Sequence, residues 1–492
     1  MTQVDNQTSG ITLMGLGPGD PKNLTIEALT WLKSIKVLYL RTSQHPTVTH
    51  LPEHLELISF DALYEKHEGF EEVYEEIIDR VLVMGRAPGG ITYAVPGHPF
   101  VAEATCPEIF RRAKLEDIPV RVIEGLSFLE PTFRALSLDP FPDLALADAL
   151  SMSGSQTPQT PPSSAVLIAQ IYSRMVASDV KLTLMNTYPD DHLVRLVHGA
   201  GTDEELVEDL PLYAVDHSEH LGLLSALFVP PLSPYTSFES FQEIIAKLRA
   251  PDGCPWDREQ THESLRPFLL EEAYETLDAL DRQDMPDLEE ELGDLLLQIL
   301  LHAQIANEEG DFNIHHVLDG IGSKLVRRHP HVFASKKVSG VSGVLHNWEE
   351  IKAEERKDNG DEAKTGLLDG VPKALPALSQ AGEIIERTRR VGFDHLILKG
   401  DPAYLYKQID NFLTTEEKDI LFEELLLGLS ALAYQNQLDA ESLLREALAR
   451  FREQFGIMEA SAMKRGETLV NLSKEQKEDL WAQAGKTMRE EG

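Results

Sequence analysis

Residues 269–294 read LLEEAYETLDALDRQDMPDLEEELGD, and the organisation of the second half of the chain follows from them. Apolar residues recur at helical spacing beyond a break, as in Leu288, Leu292, Leu295, Leu296, Ile299 and Leu300. The break, Gln283-Asp284-Met285-Pro286-Asp287, combines a turn with a helix start, because proline is accepted in a first helical turn, where no N–H is needed. Two antiparallel helices are expected, with Leu269, Ala273, Leu277, Leu280, Leu292, Leu296 and Ile299 packed between and beneath them. On the first helix Glu271, Glu272 and Glu275 share a face at i,i+3 and i,i+4 spacing. On the second, Glu291 and Asp294 repeat the i,i+3 relation. The fold-back brings the two acidic sets to one spot.

From Glu263 to Asp294 there are 12 acidic and 2 basic residues, a local balance of −10. One reading is a solvated acidic face. The other is a site for Mg²⁺ or Mn²⁺, since these acids sit beside the apolar stripe and clustered carboxylates repel unless a cation neutralises them. Downstream, Lys324, Arg327 and Arg328 fall at i, i+3 and i+4. They form either a salt-bridging face or, opposite a metal site, a clamp for polyphosphate. Trp348, followed by Lys352 and Arg356, is either a core tryptophan at a helix end or a stacking surface flanked by charge.

Two compositional styles meet near residue 235. Before it, short apolar runs (Ile11–Met14, Lys36–Leu40, Gly90–Val95, Val120–Ile123, Ala165–Ala169, Lys181–Met185) alternate with turns and with amphipathic stretches such as Thr25–Ile35 and Glu72–Val83. This pattern predicts an α/β domain with a largely parallel sheet, interrupted by a Ser/Thr/Pro loop at 151–164 and ending in a strand and linker at 228–234. After residue 235 the pattern is helical throughout, with a Gly/Pro-rich boundary at 358–376. The expected fold class is multidomain: an N-terminal α/β domain followed by all-α domains.

Lys plus Arg number 45 and Asp plus Glu 82, a net charge of −37. Such a chain repels phosphate backbones and anionic lipid, so a general nucleic-acid or membrane binder is not expected, whereas a small anion bridged by metal is compatible. Cys106 and Cys254 form no disulfide framework or zinc motif. The first ten residues lack the pattern of a signal peptide, and no stretch reaches about 18 uninterrupted apolar residues. A reduced cytoplasmic compartment is the expectation.

Three loops in the first half follow strand-like runs: Gly15-Leu16-Gly17-Pro18-Gly19-Asp20, Val95-Pro96-Gly97-His98-Pro99 and Glu124-Gly125-Leu126-Ser127. They read either as ordinary βα turns or as a ligand site at the carboxyl ends of strands. The first is not a dinucleotide fingerprint, because Asp20 stands where the third glycine would be.

In the second half, Cys254-Pro255-Trp256-Asp257, Gln260-Thr261-His262, the EExxE/ExxD pair, Arg327-Arg328-His329-Pro330-His331-Val332-Phe333 and Trp348-Glu349-Glu350-Ile351-Lys352 occur in order. This series resembles the MazG family of nucleoside triphosphate pyrophosphohydrolases, over about residues 236–490. The resemblance implies an all-α, metal-dependent, usually dimeric enzyme that cleaves NTP to NMP and pyrophosphate. It implies Glu272, Glu275, Glu291 and Asp294 as Mg²⁺ ligands, and Lys324, Arg327, Arg328, Trp348 and Lys352 as nucleotide contacts. Glu271, the cluster acid left after that assignment, is the candidate base.

The three glycine loops are similar to those of the tetrapyrrole methylase superfamily, over about residues 10–232. That resemblance implies S-adenosylmethionine held between two α/β subdomains by Gly15, Gly17, Pro18, Gly19, Asp20, Gly97, His98, Gly125 and Ser127. The superfamily often carries Gly-Asp-Pro where this chain has Gly97-His98-Pro99. A methylase domain fused to MazG is the YabN-like architecture.

The expected domains are 10–232 (methylase-like), 236–360 (active MazG-like) and 370–490 (degenerate MazG-like). In the last, Lys407, Gln408 and Asn411 replace the three glutamates, Glu424 stands alone in the second acidic motif, and Glu453 and Gln454 replace the arginines that would follow Arg450. A homodimer through the helical half is expected, since two helices alone cannot enclose a metal site. Two other functions remain compatible with the sequence: a methyltransferase whose helical half only dimerises it, and a non-catalytic sensor of nucleotide or S-adenosylmethionine.

Overall fold

The computed structural model describes residues 9–491 apart from 68, 337, 342, 345, 346, 349, 350, 352–354, 356–365, 394, 396–399 and 415–417. The chain divides into two compact units, one ending at Leu248 and the other beginning at Arg249.

The first unit holds two five-stranded sheets. Strands β1 (Ile11–Gly15), β2 (Val37–Leu40), β3 (Glu56–Ser59), β4 (Ile91–Val95) and β5 (Val120–Ile123) form one, in the order β3-β2-β4-β1-β5. Every pair in it is parallel. β1 and β4 are buried along their whole length, as strands covered on both faces must be. Ile11, Leu13, Tyr93 and Val95 pack with Ile77 and Val81 of helix Phe70–Arg86 on one face, and Met14, Leu38 and Ala94 with Ala28 and Leu32 of helix Ile26–Leu32 on the other. In-register pairing from Ile11↔Ile91 to Gly15↔Val95 makes the loops after β1 and β4 emerge side by side.

The second sheet contains β6 (Leu144–Asp148), β7 (Ala165–Ala169), β8 (Leu193–His198), β9 (Leu206–Pro211) and β10 (Ser225–Val229), in the order β6-β7-β10-β8-β9. Here the expected parallel character fails. Only β6 and β7 run parallel; β7–β10, β10–β8 and β8–β9 are antiparallel. The short β8–β9 connection accounts for the last of these pairs, since a parallel crossover needs a dozen or more residues. The expected strand at Lys181–Met185 is the end of helix Arg174–Met185. Ser173 caps that helix by accepting from Val176 N–H, and Val176, Ala177, Val180 and Leu184 bury one helical stripe, of which the apolar run was only the last turn.

The second unit is helical among its described residues. The boundary falls in the last turn of α1 (Phe238–Arg249); then come α2 (His262–Arg282), α3 (Met285–Glu309), α4 (Ile314–Arg328), α5 (Ala377–Arg390), α6 (Pro402–Thr414), α7 (Lys418–Gln435), α8 (Ala440–Lys464) and α9 (Lys474–Glu491). The α2–α3 hairpin forms where expected. Thr261 and Ser264 make a capping box at the start of α2, and Gln283, left-handed at φ 56°, ends it. Asp284 then caps α3 by accepting from Asp287 N–H, with Pro286 in the first turn. Buried Arg249 forks onto Glu308 at the end of α3 and donates to the carbonyls of Asp257 and Gln260. That fixes the Cys254–His262 segment as the entry to the hairpin. Arg445 on α8 pairs with Asp281 at the end of α2, 2.6 Å away.

The expected packing of the hairpin is corrected. Its buried positions are Leu265, Thr276 and Ala279 on α2, and Gln298, Leu300, Leu301, Ala303, Ile305 and Ala306 on α3. Leu269, Leu277, Leu280, Leu292 and Ile299 stand exposed. Small Thr276 and Ala279 occupy the α2 side of the seam, and the leucine stripe turns outward. No helix among the described residues is long and apolar enough to cross a membrane.

Candidate functional site

The hairpin brings the predicted carboxylates together. One oxygen each from Glu272 and Glu275 on α2 and Glu291 on α3 lie within 4.8 Å of one another. At that separation a pair of like charges costs about 1 kcal/mol in water and about 3 kcal/mol at an effective dielectric near 20. Among the described residues no lysine or arginine pairs with these three. Glu291 Oε2 is buried without a hydrogen-bond partner. Burial pushes the Glu272 carboxyl above its ordinary value, and the charges of Asp294, Glu275, Glu291 and Glu271 push the same way. Glu291 is raised likewise, by burial first and then by Glu275, Asp287, Asp294 and Glu290. A buried lone pair without a donor, inside a cluster of repelling hard oxygens, fits a divalent cation such as Mg²⁺. Asp294 is half-buried one turn beyond Glu291. Glu271 lies exposed at the edge of the cluster.

The basic face of α4 is organised by a residue that the spacing of motifs did not single out. Arg327 donates to Glu355 Oε1 through Nε at 2.8 Å, and its Nη2 lies 2.6 Å from the same oxygen as an ion pair. Arg328 donates to both Glu355 oxygens, through Nε at 3.3 and 3.2 Å and through Nη2. The bond from Arg328, followed by that from Arg327, pulls the Glu355 carboxyl down to about 2. The Arg328 guanidinium also lies 5.7 Å from the centroid of the Trp348 ring. Lys324 is exposed on the same helix. Lys352, expected to contact nucleotide, lies outside the described residues, as does Arg356. The seven-residue step from Trp348 to Glu355 is the sequence signal that could have placed both on one helical face.

The α6–α7 hairpin, which the sequence sets against α2–α3 as a degenerate counterpart, surrounds its one aligned carboxylate with neutral donors. Tyr404 OH donates to Glu424 at 2.9 Å, Gln408 Nε2 donates to the same oxygen at 3.1 Å, and Asn411 donates to Gln408 at 3.3 Å. Gln454 donates to the Trp481 carbonyl at 2.9 Å instead of presenting a cation.

In the first unit the three glycine loops meet. Gly17 and Gly97 exchange backbone hydrogen bonds of 3.2 and 2.8 Å, with φ of 72° and 66°. A Cβ on Gly15 would stand 2.5 Å from the Gly97 carbonyl oxygen and 2.7 Å from Gly125 N, so only glycine permits the contact. On Gly97 a Cβ would meet nothing within 4 Å, which leaves open space beside the junction. The Gly19 carbonyl accepts from buried Thr47, next to Pro18 and Asp20 in the same loop. Asp20 caps the turn that follows by accepting from Lys22 N–H, His98 Nδ1 accepts from Phe100 N–H, and Ser127 donates to Glu130.

His45, just before Pro46 and Thr47, is buried with neither ring nitrogen hydrogen-bonded. Burial lowers its pKa from 6.5 to about 4. The folded protein therefore binds this proton less readily than the unfolded chain. The associated stability is present above pH 6.5 and is lost as pH falls toward 4, an effect of about 3 kcal/mol. His45→Phe should flatten that part of the stability profile in urea titrations between pH 7 and pH 4.5. Parallel profiles for variant and wild type would contradict it.

Comparison with known proteins agrees with this division of the chain. The model of the MazG nucleotide pyrophosphohydrolase domain matches residues 260–333, and that of the Tetrapyrrole (Corrin/Porphyrin) Methylases matches residues 10–216. YabN of Bacillus subtilis is 39% identical, over 97% of this chain and 99% of that protein. The nucleoside triphosphate pyrophosphohydrolase/pyrophosphatase MazG of Thermotoga maritima is 41% identical, over 50% of this chain and 95% of its own length. The nucleoside triphosphate pyrophosphohydrolase of Escherichia coli K12 is 39% identical, over 49% and 94%. Among solved structures, uroporphyrin-III-C-methyltransferase from Thermus thermophilus aligns with a TM-score of 0.37 at 20% identity, over 45% of this chain and 94% of that one. The chain belongs to the MazG family of nucleoside triphosphate pyrophosphohydrolases, with an N-terminal tetrapyrrole methylase domain in the arrangement of YabN.

Proposed function

We propose that the α2–α3 site hydrolyses nucleoside triphosphates to the monophosphate and pyrophosphate. The observation that carries this reading is the convergence of Glu272, Glu275 and Glu291 around an unpartnered buried oxygen. These three and Asp294 would hold Mg²⁺ or Mn²⁺, which supplies charge neutralisation on the phosphates and acidifies a water for attack. Arg327, Arg328 and Lys324 bind and orient the polyphosphate, and Trp348 offers a face to the base. Glu271, exposed and outside the three-oxygen cluster, keeps an oxygen free to take a proton. The named activity of the Thermotoga and Escherichia relatives supports the same substrate class. The test is a turnover panel of all NTPs and dNTPs with Mg²⁺ and phosphate products resolved. Release of orthophosphate in place of pyrophosphate would refute the reading.

The helical unit works as a homodimer in this proposal, in a reduced cytoplasmic compartment. Val317, Leu318, Ile321 and Leu325 form one stripe along α4 and are all exposed, as are Leu292 and Ile299 on α3. Covering faces of this kind with a second copy offers the apolar area that a stable interface needs, about 1,600 Å² in total for a standard one. Light scattering at micromolar concentration should give twice the 55.0 kDa chain mass, and Leu325→Glu should shift it toward one. A wild-type mass of one chain would overturn the dimer.

A second activity is proposed for the first unit: S-adenosylmethionine bound where the loops after β1, β4 and β5 meet. The open space on the Cβ side of Gly97, beside its junction with Gly15, Gly17 and Gly125, favours it. Calorimetry with S-adenosylmethionine tests it, and absence of binding at millimolar ligand would remove it.

A further inference from the structure

We propose that Glu355 competes with substrate for the arginine pair: in the nucleotide-free chain its carboxylate occupies Arg327 and Arg328 in place of phosphate, and a polyphosphate must displace it to bind. This deepens the proposed function and rests on its placement of nucleotide at α4.

The geometry is that of a substrate mimic. Both carboxylate oxygens are engaged: Oε1 accepts from Arg327 Nε with Nη2 close by, and Arg328 donates to both through Nε and Nη2. Those are the edges with which guanidinium groups bind phosphate oxygens. The Arg328 side chain is 14% exposed, and Trp348 covers part of it, so a phosphate has to use the edge that Glu355 already holds. Glu355 lies 27 residues beyond Arg328 in the chain, outside α4, so it can withdraw without unwinding the helix that carries both arginines.

The charges decide who wins. Glu355 brings one negative charge, and a nucleoside triphosphate brings three to four spread over several oxygens. A triphosphate can therefore take both forks at once, while the single phosphate of the product monophosphate meets the carboxylate on nearly equal terms. The contact thus sets a threshold that favours polyphosphates and speeds release of the monophosphate. An occupied pair lowers apparent affinity by the fraction of chains in which it is free.

The experiment is calorimetric binding of inorganic tripolyphosphate and of orthophosphate to the full-length chain, wild type and Glu355→Gln, with KM measured alongside. If the pair is about 90% occupied, removing the charge tightens tripolyphosphate about tenfold and orthophosphate by at least as much, with the gain in turnover carried by KM. Unchanged or weaker tripolyphosphate binding in a folded Glu355→Gln overturns the proposal. Should that variant fail to fold, Glu355→Asp, one methylene shorter and still charged, replaces it: a loosened latch still tightens tripolyphosphate, and unchanged binding rejects the latch. Tighter tripolyphosphate without any NTP turnover would remove the hydrolase reading and keep the latch. Normal turnover without tightening would do the reverse.

Discussion

Glu272→Gln and Glu291→Gln should each lower NTP turnover on the order of a thousandfold, because each removes a proposed ligand of the cation that would offset charge on the reacting phosphates. The same substitutions should raise the melting temperature of the metal-free protein. Each deletes one member of a repelling set whose oxygens lie within 4.8 Å of one another. For half-exposed groups the relief is nearer the aqueous figure, about 1 kcal/mol per pair. Loss of activity together with a gain in stability is the signature of a site strained by its own charges. Glu424→Gln supplies the contrast, since its carboxylate already has two donors; it should lose stability and leave turnover within about twofold. Wild-type rates in excess EDTA, or full activity in Glu272→Gln, would remove the metal assignment.

Arg328→Ala carries the second-largest expected effect. A charge-assisted hydrogen bond to phosphate contributes about 1.5–3 kcal/mol, so kcat/KM should fall by about ten- to a hundredfold. Arg328→Lys should recover little of it, because an ammonium cannot supply the planar fork that now grips Glu355 or lie over Trp348 in the same way. Pyrophosphate release at varied NTP concentration measures both parameters. An unchanged kcat/KM in Arg328→Ala would place the nucleotide elsewhere.

Much of the architecture was legible because it is written in local chemistry. β5 and β7 coincide with the apolar runs at Val120–Ile123 and Ala165–Ala169. The α2–α3 turn followed from Asp284 and Pro286. The second sheet was harder, since β8 and β9 carry Arg195, Glu208 and Asp209 among the apolar residues and so lack a clean strand pattern. Lys181–Met185 misled because a helical stripe seen through its last turn has the composition of a strand. The acidic site was readable from i,i+3 and i,i+4 spacing, which fixes a helix face. The orientation of the leucines around it was not, because the α2 side of the seam is made by Thr276 and Ala279, and small residues leave little trace in a hydrophobic pattern. Glu355 carries only the weak signal of its step from Trp348, one acid among several charges, and its role appears only when two guanidinium groups are found on it.

The Tyr404–Gln408–Glu424 network has a consequence for how the protein tolerates metal starvation. The carboxylates of the α2–α3 hairpin repel one another at short range, so if that hairpin holds a cation as proposed it should loosen under a chelator. The α6–α7 hairpin has neutral donors on a single carboxylate, so its shape should not depend on divalent-ion concentration. With Arg445 on α8 paired to Asp281 on α2, the C-terminal helices should offer a fixed surface on which the emptied hairpin closes again once a divalent cation returns.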